Sequence, residues 1–499
     1  MRPLQPLIHS PGPVGVRTAL GQDKGVAAQE RAAVATDSPD LVKINVLDHS
    51  LKARYASRVR IEQNLDRRVV SFQANKSKAV YRWYKYKEGF SASLVEYLLR
   101  HSNTTSGTVL DPFAGSGTTL FASSSLGLHA EGIELLPIGQ KIIVTRQLIE
   151  GGLDAQHMAA LARWADQKPW QTAKHRKPLA ELRITKGAYP DQTKNEIELF
   201  LGTLENEPQP VAAILEFALL CVLESVSFTR KDGQYLRWDF RSNRGQGKKP
   251  FDKGAILTFE DAMASKLKEI VSDLVGTESS VDLFHQPVRA GSINLRGGSC
   301  LDILPALAAA SYDAIITSPP YCNRYDYTRT YALEAAILGI GEQELSELRQ
   351  TMLTCTVENR LKSLLTINPH WRTALAIADG QDLLQAILHY LDAQKGIGAL
   401  NNNGIPRMVR GYFYEMACVI YECARLLKPR GRLMMVNDNV RYAGASISVD
   451  FILSSMAENM GLHVEEIMVL PTGKGNSSQQ MGHHGRDELR KCIYIWQKE

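Results

Sequence analysis

Two short segments of the chain combine residue types and spacings that could do chemistry. The first, DPFAGSGTT at residues 111–119, follows an apolar stretch that ends at Leu110. Its glycines, Gly115 and Gly117, lie where a strand is expected to turn into a helix, so a ligand can approach the bare backbone closely. The exposed N–H groups at the start of a helix favour a polar or anionic group. This segment is predicted to bind a ligand, and the alternative is a tight turn without one.

The residues around this glycine turn narrow the choice of ligand. A P-loop requires a lysine that is missing here, and a dinucleotide fingerprint requires a third glycine where Leu120 stands. Glu134 ends the next expected strand, 19 residues after Gly115, where a carboxylate can hold two ribose hydroxyls. The pattern therefore favours a nucleoside cofactor without a pyrophosphate.

The second segment is TSPPY at residues 317–321, directly after an apolar strand. Ligands of open α/β sheets bind at the carboxyl ends of strands, so both segments can face one pocket. The two prolines stiffen the turn and remove two N–H donors. Ser318 and the carbonyl of Pro319 can then accept hydrogen bonds from an exocyclic amino group, and Tyr321 offers a face for a planar base. Alone, the segment could also be a rigid turn that ends a strand.

A third segment is strongly basic. Between Phe228 and Lys253 there are eight Lys or Arg against three Asp, an excess of five that equals the net charge of the whole chain. Cations interleaved with aromatic side chains combine phosphate contacts with stacking faces, whereas a solvated charged run is the alternative. Whether the segment reads bases or grips phosphates stays open. The predicted DNA-binding residues are Arg230, Lys231, Tyr235, Arg237, Trp238, Arg241 and Arg244.

The elements that position these segments alternate between strand and helix. The pattern predicts a helix at 91–100, a strand at 108–110, a helix at 118–126 and a strand ending at Glu134, which together form a βαβ unit. The alternation of strands and helices resumes at Ser292, with strands at 314–316, 432–436, 464–470 and 491–496. The predicted fold class is therefore α/β, a doubly wound sheet with two mainly helical insertions.

The predicted organisation divides the chain into four parts. They are a flexible tail (1–42), a cofactor half (43–145), a mainly helical insertion with the basic segment (146–288), and a catalytic half (289–499) that contains a helical insertion at 333–405.

Composition excludes several classes of protein. The chain has 499 residues and seven cysteines without a CxxC pair, so neither a disulfide framework nor a zinc site is expected. His483 and His484 lack partners at ligand spacing, and no metal is expected. No apolar run approaches the ~20 residues of a membrane span, and prolines interrupt the first residues where a signal peptide would be apolar. We expect a cytoplasmic, nucleoid-associated protein.

Taken together, DPFAGSGTT and TSPPY resemble the motifs of the amino-group DNA methyltransferases that use S-adenosylmethionine. The serine form of the second motif is typical of cytosine-N4 enzymes, whereas adenine-N6 enzymes usually have Asp or Asn at the position of Ser318. The resemblance covers about residues 80–145 and 290–499 and implies a Rossmann-like methyltransferase sheet. It also implies double-stranded DNA as partner, base flipping, and a role in restriction-modification or phage defence, in which a separate restriction or defence subunit is a further potential partner.

Carried over by position, the resemblance assigns two groups of residues. The catalytic group is Ser318, Pro319, Pro320 and Tyr321. Where the family often has an acidic residue after the third strand, this chain has Ser299, and Asp302 is displaced by three positions. The cofactor-binding group is Phe90, Ser91, Asp111, Pro112, Phe113, Ala114, Gly115, Gly117, Thr118, Glu134 and Ser299.

The implied reaction is direct methyl transfer to the N4 nitrogen of cytosine, which requires no covalent nucleophile. Cys322 is then expected to be a small packing residue, although its position next to TSPPY invites a covalent reading. Adenine-N6 methylation and a structured RNA substrate are alternatives. A non-catalytic DNA-binding subunit that keeps the fold as a scaffold is a third.

Overall fold

The computed structural model describes residues 38–232, 235–245, 250–278, 290–471 and 489–499. Within these ranges the strands are β1 (Val59–Ile61), β2 (Thr108–Asp111), β3 (His129–Glu134), β4 (Thr229–Asp232), β5 (Tyr235–Trp238), β6 (Ile293–Gly297), β7 (Tyr312–Thr317), β8 (Leu427–Asp438), β9 (Val440–Tyr442), β10 (Ala445–Ile447), β11 (Leu462–Val469) and β12 (Lys491–Lys498).

Eight of these strands form one sheet in the order β1-β11-β12-β8-β7-β2-β3-β6. Neighbouring strands are parallel except at β12, which runs antiparallel to both β11 and β8. Since β2 lies between β7 and β3, the carboxyl ends of these three strands meet at one edge of the sheet. The predicted α/β class is confirmed, and both chemical motifs lie at this edge.

The α-helices of the described residues cover the sheet and build the insertions. They are α1 (Pro39–Arg54), α2 (Ala92–His101), α3 (Thr118–Ser125), α4 (Pro137–Glu150), α5 (Ala155–Gln167), α6 (Asp191–Leu204), α7 (Val211–Val226), α8 (Phe259–Glu278), α9 (Cys300–Ile303), α10 (Tyr327–Thr330), α11 (Ala332–Ile337), α12 (Glu342–Thr351), α13 (Leu364–Ile367), α14 (Arg372–Asp379), α15 (Asp382–Gly396), α16 (Ile405–Leu426) and α17 (Val449–Glu458).

One expectation about local structure was wrong. Residues 39–42 were assigned to a flexible tail, but they begin helix α1, which buries Leu41 and Ile44 in the main core. Residues 1–37 of that tail lie outside the described residues. Strand β8 begins at Leu427, directly after α16, and its pairing with β7 is interrupted between Leu427 and Arg432, where Arg430 has a φ of 65°.

The first insertion contains a buried aromatic cluster, which belongs to a core shared with neighbouring parts of the chain. Trp164, Trp170, Phe200 and Phe259 come from separate elements and pack edge to face or stacked, with ring centroids 5.1 to 6.0 Å apart. The basic segment in this insertion folds as the antiparallel β4–β5 hairpin, which is followed by a short 3₁₀ turn at Phe240–Ser242. In the described part of the chain, no helix is both long and apolar enough to cross a membrane.

Candidate active site

One pocket lies at the carboxyl ends of β2, β3 and β7 and contains about 810 Å³ of empty space. It brings the two chemical motifs together, as their shared position at the sheet edge predicts. Of the predicted site residues, those that line it are Phe90, Asp111, Pro112, Phe113, Ala114, Gly115, Thr118, Glu134, Ser299, Ser318 and Pro320.

The glycine turn holds the carboxylate of Glu134 in place. The N–H of Gly115 donates to Glu134 Oε2 at 2.6 Å, and the N–H of Leu136 donates to Oε1 at 2.7 Å. Gly115 has a φ of +55°, and a Cβ added there would lie 3.2 Å from the ring of Tyr86. Burial raises the pKa of Glu134 to about 8, although both N–H donors oppose this shift. A carboxylate has about four lone-pair sites, so Glu134 can still accept from a ligand.

A buried hydrogen bond connects the two motifs directly. Thr317, the last residue of β7, donates from Oγ1 to Asp111 Oδ1 at 2.6 Å, and the N–H of Phe113 donates to the same oxygen at 3.0 Å. Burial raises the pKa of Asp111 to about 6, against the lowering effect of the hydroxyls of Thr317 and Thr119. The sequence placed Asp111 in the site but did not reveal its bond to Thr317, because the two residues are 206 positions apart.

The hydroxyl of Ser318 has a defined hydrogen-bond direction. Its Oγ donates to Tyr321 Oη at 3.1 Å, and Ser318 lines the pocket. A serine hydroxyl has one proton and two lone pairs. Because the proton is used within the motif, the lone pairs of the Ser318 oxygen remain available to accept hydrogen bonds.

Tyr321 lies beside an ion pair that the sequence did not reveal. Lys491 Nζ is 5.4 Å from the centroid of the Tyr321 ring and 3.5 Å from Asp438 Oδ1. Burial lowers the pKa of Lys491, but Asp438 and Tyr321 outweigh it, so the pKa lies above its usual value. Lys491 and Asp438 are cross-strand partners on β12 and β8. This pairing could be found only once the sheet order was known.

Three of the predicted site residues do not line the pocket and have structural roles next to it. Ser91 caps helix α2 by accepting from the N–H of Leu94 at 3.2 Å, and its hydroxyl donates to the carbonyl of Val69 at 2.6 Å. Gly117 begins helix α3 with a φ of +77°, and a Cβ there would lie 2.7 Å from Ile143. Pro319 is buried in its turn.

The neighbours of the catalytic motif have structural partners. Asn437 is fully buried and donates to Tyr412 Oη at 2.8 Å, and Asn439 accepts from the N–H of Asp450 at 3.1 Å. Cys322 is fully buried, and burial raises the pKa of its thiol well above the usual range. A thiol of this kind is a poor nucleophile.

An aromatic wall that the sequence reading missed closes one side of the pocket. Tyr86 lines the pocket and stacks on Tyr331, with centroids 5.3 Å apart and an interplanar angle of 11°. The hydroxyls of Tyr325 and Tyr331 both donate to the carboxylate of Glu88, which also lines the pocket. The dense tyrosines before GFSAS and after TSPPY were a signal for such a wall.

The predicted DNA-binding hairpin has two different faces. Arg230 pairs with Arg237 across the strands, and both are exposed, as is Tyr235. Lys231 points inward, where Nζ donates to Glu334 and, at 3.0 Å, to Tyr84 Oη. Only 5% of its side chain is exposed, so its assignment to the DNA-binding surface was wrong. Strand alternation places neighbouring residues on opposite faces, and this lysine is on the core side.

The other predicted cations of this segment have partners within the chain. Arg241 donates to both oxygens of Asp239, at 2.6 and 2.9 Å. Arg244 stacks on Trp238 at 3.7 Å and donates to the carbonyls of Arg183 and Lys186. These contacts hold the segment in shape. Arg237 is exposed as well but lies 3.9 Å from Asp232 Oδ2 and 4.0 Å from the centroid of the Phe251 ring, so Arg230 is the more available of the two exposed cations on the hairpin.

Comparison with known proteins decides the family. Residues 41–143 match the family model described as DNA methylase. The chain is 54% identical over 457 residues to the type II methyltransferase M.AvaI of Nostoc sp., a match that covers 91% of this chain and 94% of the relative. The chain belongs to the type II DNA methyltransferases. M.BsoBI of Geobacillus stearothermophilus is 38% identical, with coverage of 94% and 97%.

A solved structure of a putative sarcosine dimethylglycine methyltransferase from Galdieria sulphuraria overlays 82% of this chain and 85% of that chain, at 9% identity and a TM-score of 0.27. The assignment to the family therefore rests on the sequence relatives.

DNA methyltransferases of this family use S-adenosylmethionine, and the pocket residues fit this cofactor. The pocket combines two buried carboxylates, Asp111 and Glu134, with the bare backbone of Gly115 and the apolar side chains of Phe113 and Ile133. This set suits a ligand with a positive charge, ribose hydroxyls and an aromatic base. Among the described residues no cluster of His, Cys, Asp or Glu could hold a metal ion, and His483 and His484 lie outside them.

Proposed function

We propose that this type II DNA methyltransferase methylates the exocyclic N4 nitrogen of cytosine in double-stranded DNA, with the target base flipped into the pocket. The observation that carries the proposal is Ser318, which lines the same pocket as Asp111 and Glu134 and gives its only proton to Tyr321. A neutral acceptor is thereby turned toward the place where an amino group would be methylated.

In this proposal the chain's own residues act by positioning. The N4 nitrogen is a weak nucleophile because its lone pair is delocalised into the ring. Ser318 Oγ and the carbonyl of Pro319 would accept its two hydrogens and draw the nitrogen out of conjugation, while Tyr321 stacks on the base. S-adenosylmethionine would supply an electrophilic methyl group on a sulfonium, so the leaving thioether is neutral and needs no acid. The methylated nitrogen would release one of its two protons to water.

We assign the cofactor contacts to the same pocket. Asp111, whose buried carboxylate is held by Thr317 and Phe113, would face the positive charge of the methionine part. Glu134 would accept from the ribose hydroxyls with its remaining lone pairs. Ser299 caps α9 by accepting from the N–H of Leu301 at 3.3 Å and would lie near the adenine.

For DNA contact we propose the outer face of the β4–β5 hairpin. Arg230, Tyr235 and Arg237 are exposed there and combine two cations with an aromatic face. The relatives are type II methyltransferases, and we infer that this chain likewise protects DNA beside a separate restriction enzyme.

The test is nucleoside mass spectrometry on DNA from cells that express the protein or its Ser318→Ala variant. We expect N4-methylcytosine with the intact protein and none with the variant, which should still bind S-adenosylmethionine. Ser311→Ala is the matched control, because Ser311 precedes the other end of β7 and bonds the carbonyl of Ala308 at 2.8 Å. N6-methyladenine would overturn the base assignment, and the absence of any modified base would favour an RNA substrate or a binding-only role.

A further inference from the structure

A second basic surface lies outside the hairpin, in a cleft that holds about 1190 Å³ of empty space. Its cations are Arg67, Arg68, Lys76 and Lys87, and the rest of its lining consists of two serines and one glutamine. No acidic side chain lines it. The sequence analysis did not find this surface, because its cations are spread over residues 67–87 and do not form one continuous run.

Among the described residues, three of the four cleft cations have no acidic partner, whereas Lys87 lies 3.6 Å from Glu224 Oε1. Arg67, Arg68 and Lys76 are exposed, and none forms an ion pair within the part of the chain that the structure describes. The nearby carboxylate of Asp66 instead accepts from the N–H groups of Arg68 and Val69, at 2.8 and 2.9 Å. Unpaired cations in a concave, polar surface concentrate positive potential, which attracts polyanions.

The cleft wall is fixed to the wall of the cofactor pocket. Asn75 is 1% exposed and donates from Nδ2 to the carbonyl of Phe90 at 3.3 Å, while its Oδ1 accepts from the N–H of Ala92 at 3.1 Å. Ser91 bonds the carbonyl of Val69 in the same region. A polyanion bound in the cleft would therefore be held at a constant position relative to the pocket.

A hydrogen bond also links the cleft to the hairpin. Lys87 Nζ donates to the carbonyl of Lys231 at 2.8 Å, and Lys231 is the neighbour of the exposed Arg230. Lys87 directly precedes Glu88, which lines the pocket. Lys87 thus lines the cleft, bonds the backbone of the proposed DNA-binding hairpin, and precedes a residue that lines the pocket.

From these contacts we propose that the cleft formed by Arg67, Arg68, Lys76 and Lys87 binds the phosphate backbone of the DNA substrate. Its lining offers charge and hydroxyl donors but no aromatic side chain, so it positions DNA without reading its sequence. The proposal rests on DNA as the substrate and is independent of which base is methylated.

The test uses the full chain with Arg67, Arg68 and Lys76 all changed to Ala and a random-sequence duplex as the probe. Each phosphate contact contributes about 0.9 to the slope of log affinity against log salt. If three contacts are lost, the slope should flatten by about 2.7, so from 50 to 200 mM salt the wild type should lose about 40-fold more affinity than the variant.

The matched control removes three cations that are similarly exposed but ion-paired: Arg54, Arg163 and Lys177. Its net charge equals that of the test variant, and its salt slope should match the wild type. Binding of S-adenosylmethionine should be unchanged in both variants, which separates loss of DNA contact from collapse of the pocket. An unchanged slope in the test variant, or an equal change in the control, would overturn the proposal.

Discussion

The hydrogen bond from Thr317 to Asp111 offers a direct test of how the two motifs depend on each other. Both side chains are buried, and their oxygen atoms are 2.6 Å apart. Thr317→Val removes the hydroxyl while keeping the shape of the side chain. A hydrogen bond to a charged acceptor contributes about 1.5–3 kcal/mol to stability, and Asp111 would keep its bond from Phe113. We therefore expect Thr317→Val to lower the free energy of unfolding by an amount in this range.

The loss should depend on pH in a definite direction. In the folded chain the pKa of Asp111 is about 6, above the ordinary value of an aspartate. The folded state therefore loses stability as the pH rises from that ordinary value to about 6, because Asp111 must ionise while buried. Since the Thr317 bond favours the ionised form, its removal raises this pKa further. The destabilisation by Thr317→Val should therefore be largest near pH 8 and smaller at pH 5, where Asp111 is protonated in both proteins.

Urea unfolding at pH 5 and pH 8 measures the loss of stability caused by Thr317→Val. Binding of S-adenosylmethionine between pH 5 and pH 8.5 measures the shift in the pKa of Asp111. If ionised Asp111 holds the cofactor as proposed, affinity should fall as the pH drops through about 6. In the variant this midpoint should move up by about one pH unit or more, since one unit corresponds to about 1.4 kcal/mol. Thr317→Ser keeps the hydroxyl and should behave like the wild type. Equal destabilisation at both pH values, or an equally weak Thr317→Ser protein, would refute the reasoning.

Three other changes separate structural from functional roles. Lys231→Met should lower the free energy of unfolding by about 3–5 kcal/mol in a urea titration, because it leaves Glu334 buried without its cation. Changing both Arg230 and Arg237 to Ala should leave that free energy nearly unchanged but reduce the salt slope of DNA binding by about 1.8. Lys491→Met should reduce kcat while leaving cofactor affinity nearly intact, because it removes a group beside Tyr321 and not one that lines the pocket.

Lys491→Met has two controls, and Lys231→Met has an outcome that would contradict its structural role. Lys498→Met, at the far end of the same strand, should retain normal kcat, since its amine bonds the carbonyl of Leu427 at 2.9 Å. In a Tyr321→Phe background, Lys491→Met should cost little further activity if the lysine acts through the tyrosine. If the two substitutions instead reduce kcat additively, Lys491 does not act through Tyr321. A strong loss of DNA binding in Lys231→Met with normal stability would restore Lys231 to the DNA-binding surface.

The local sequence determined the class of the fold and the two motifs that meet in the pocket. Glycines at 115 and 117 after an apolar strand permit the positive φ of a tight turn, and the two prolines after another strand have a fixed φ. Both turns could therefore be predicted without the rest of the chain. The carboxyl ends of parallel strands share one edge, and this rule was enough to predict that Gly115, Glu134 and Ser318 line a common pocket.

Tertiary structure decided everything that depends on contacts between distant segments. Lys491 pairs with Asp438 because antiparallel β12 lies beside β8, and Lys231 is buried because helix α11 presents Glu334 to the inner face of the hairpin. The cleft cations come from a segment that Asn75 and Ser91 hold against the pocket. Periodicity reports which face of one element is apolar, but whether a charged side chain is buried and paired or exposed to a ligand depends on its neighbours in space.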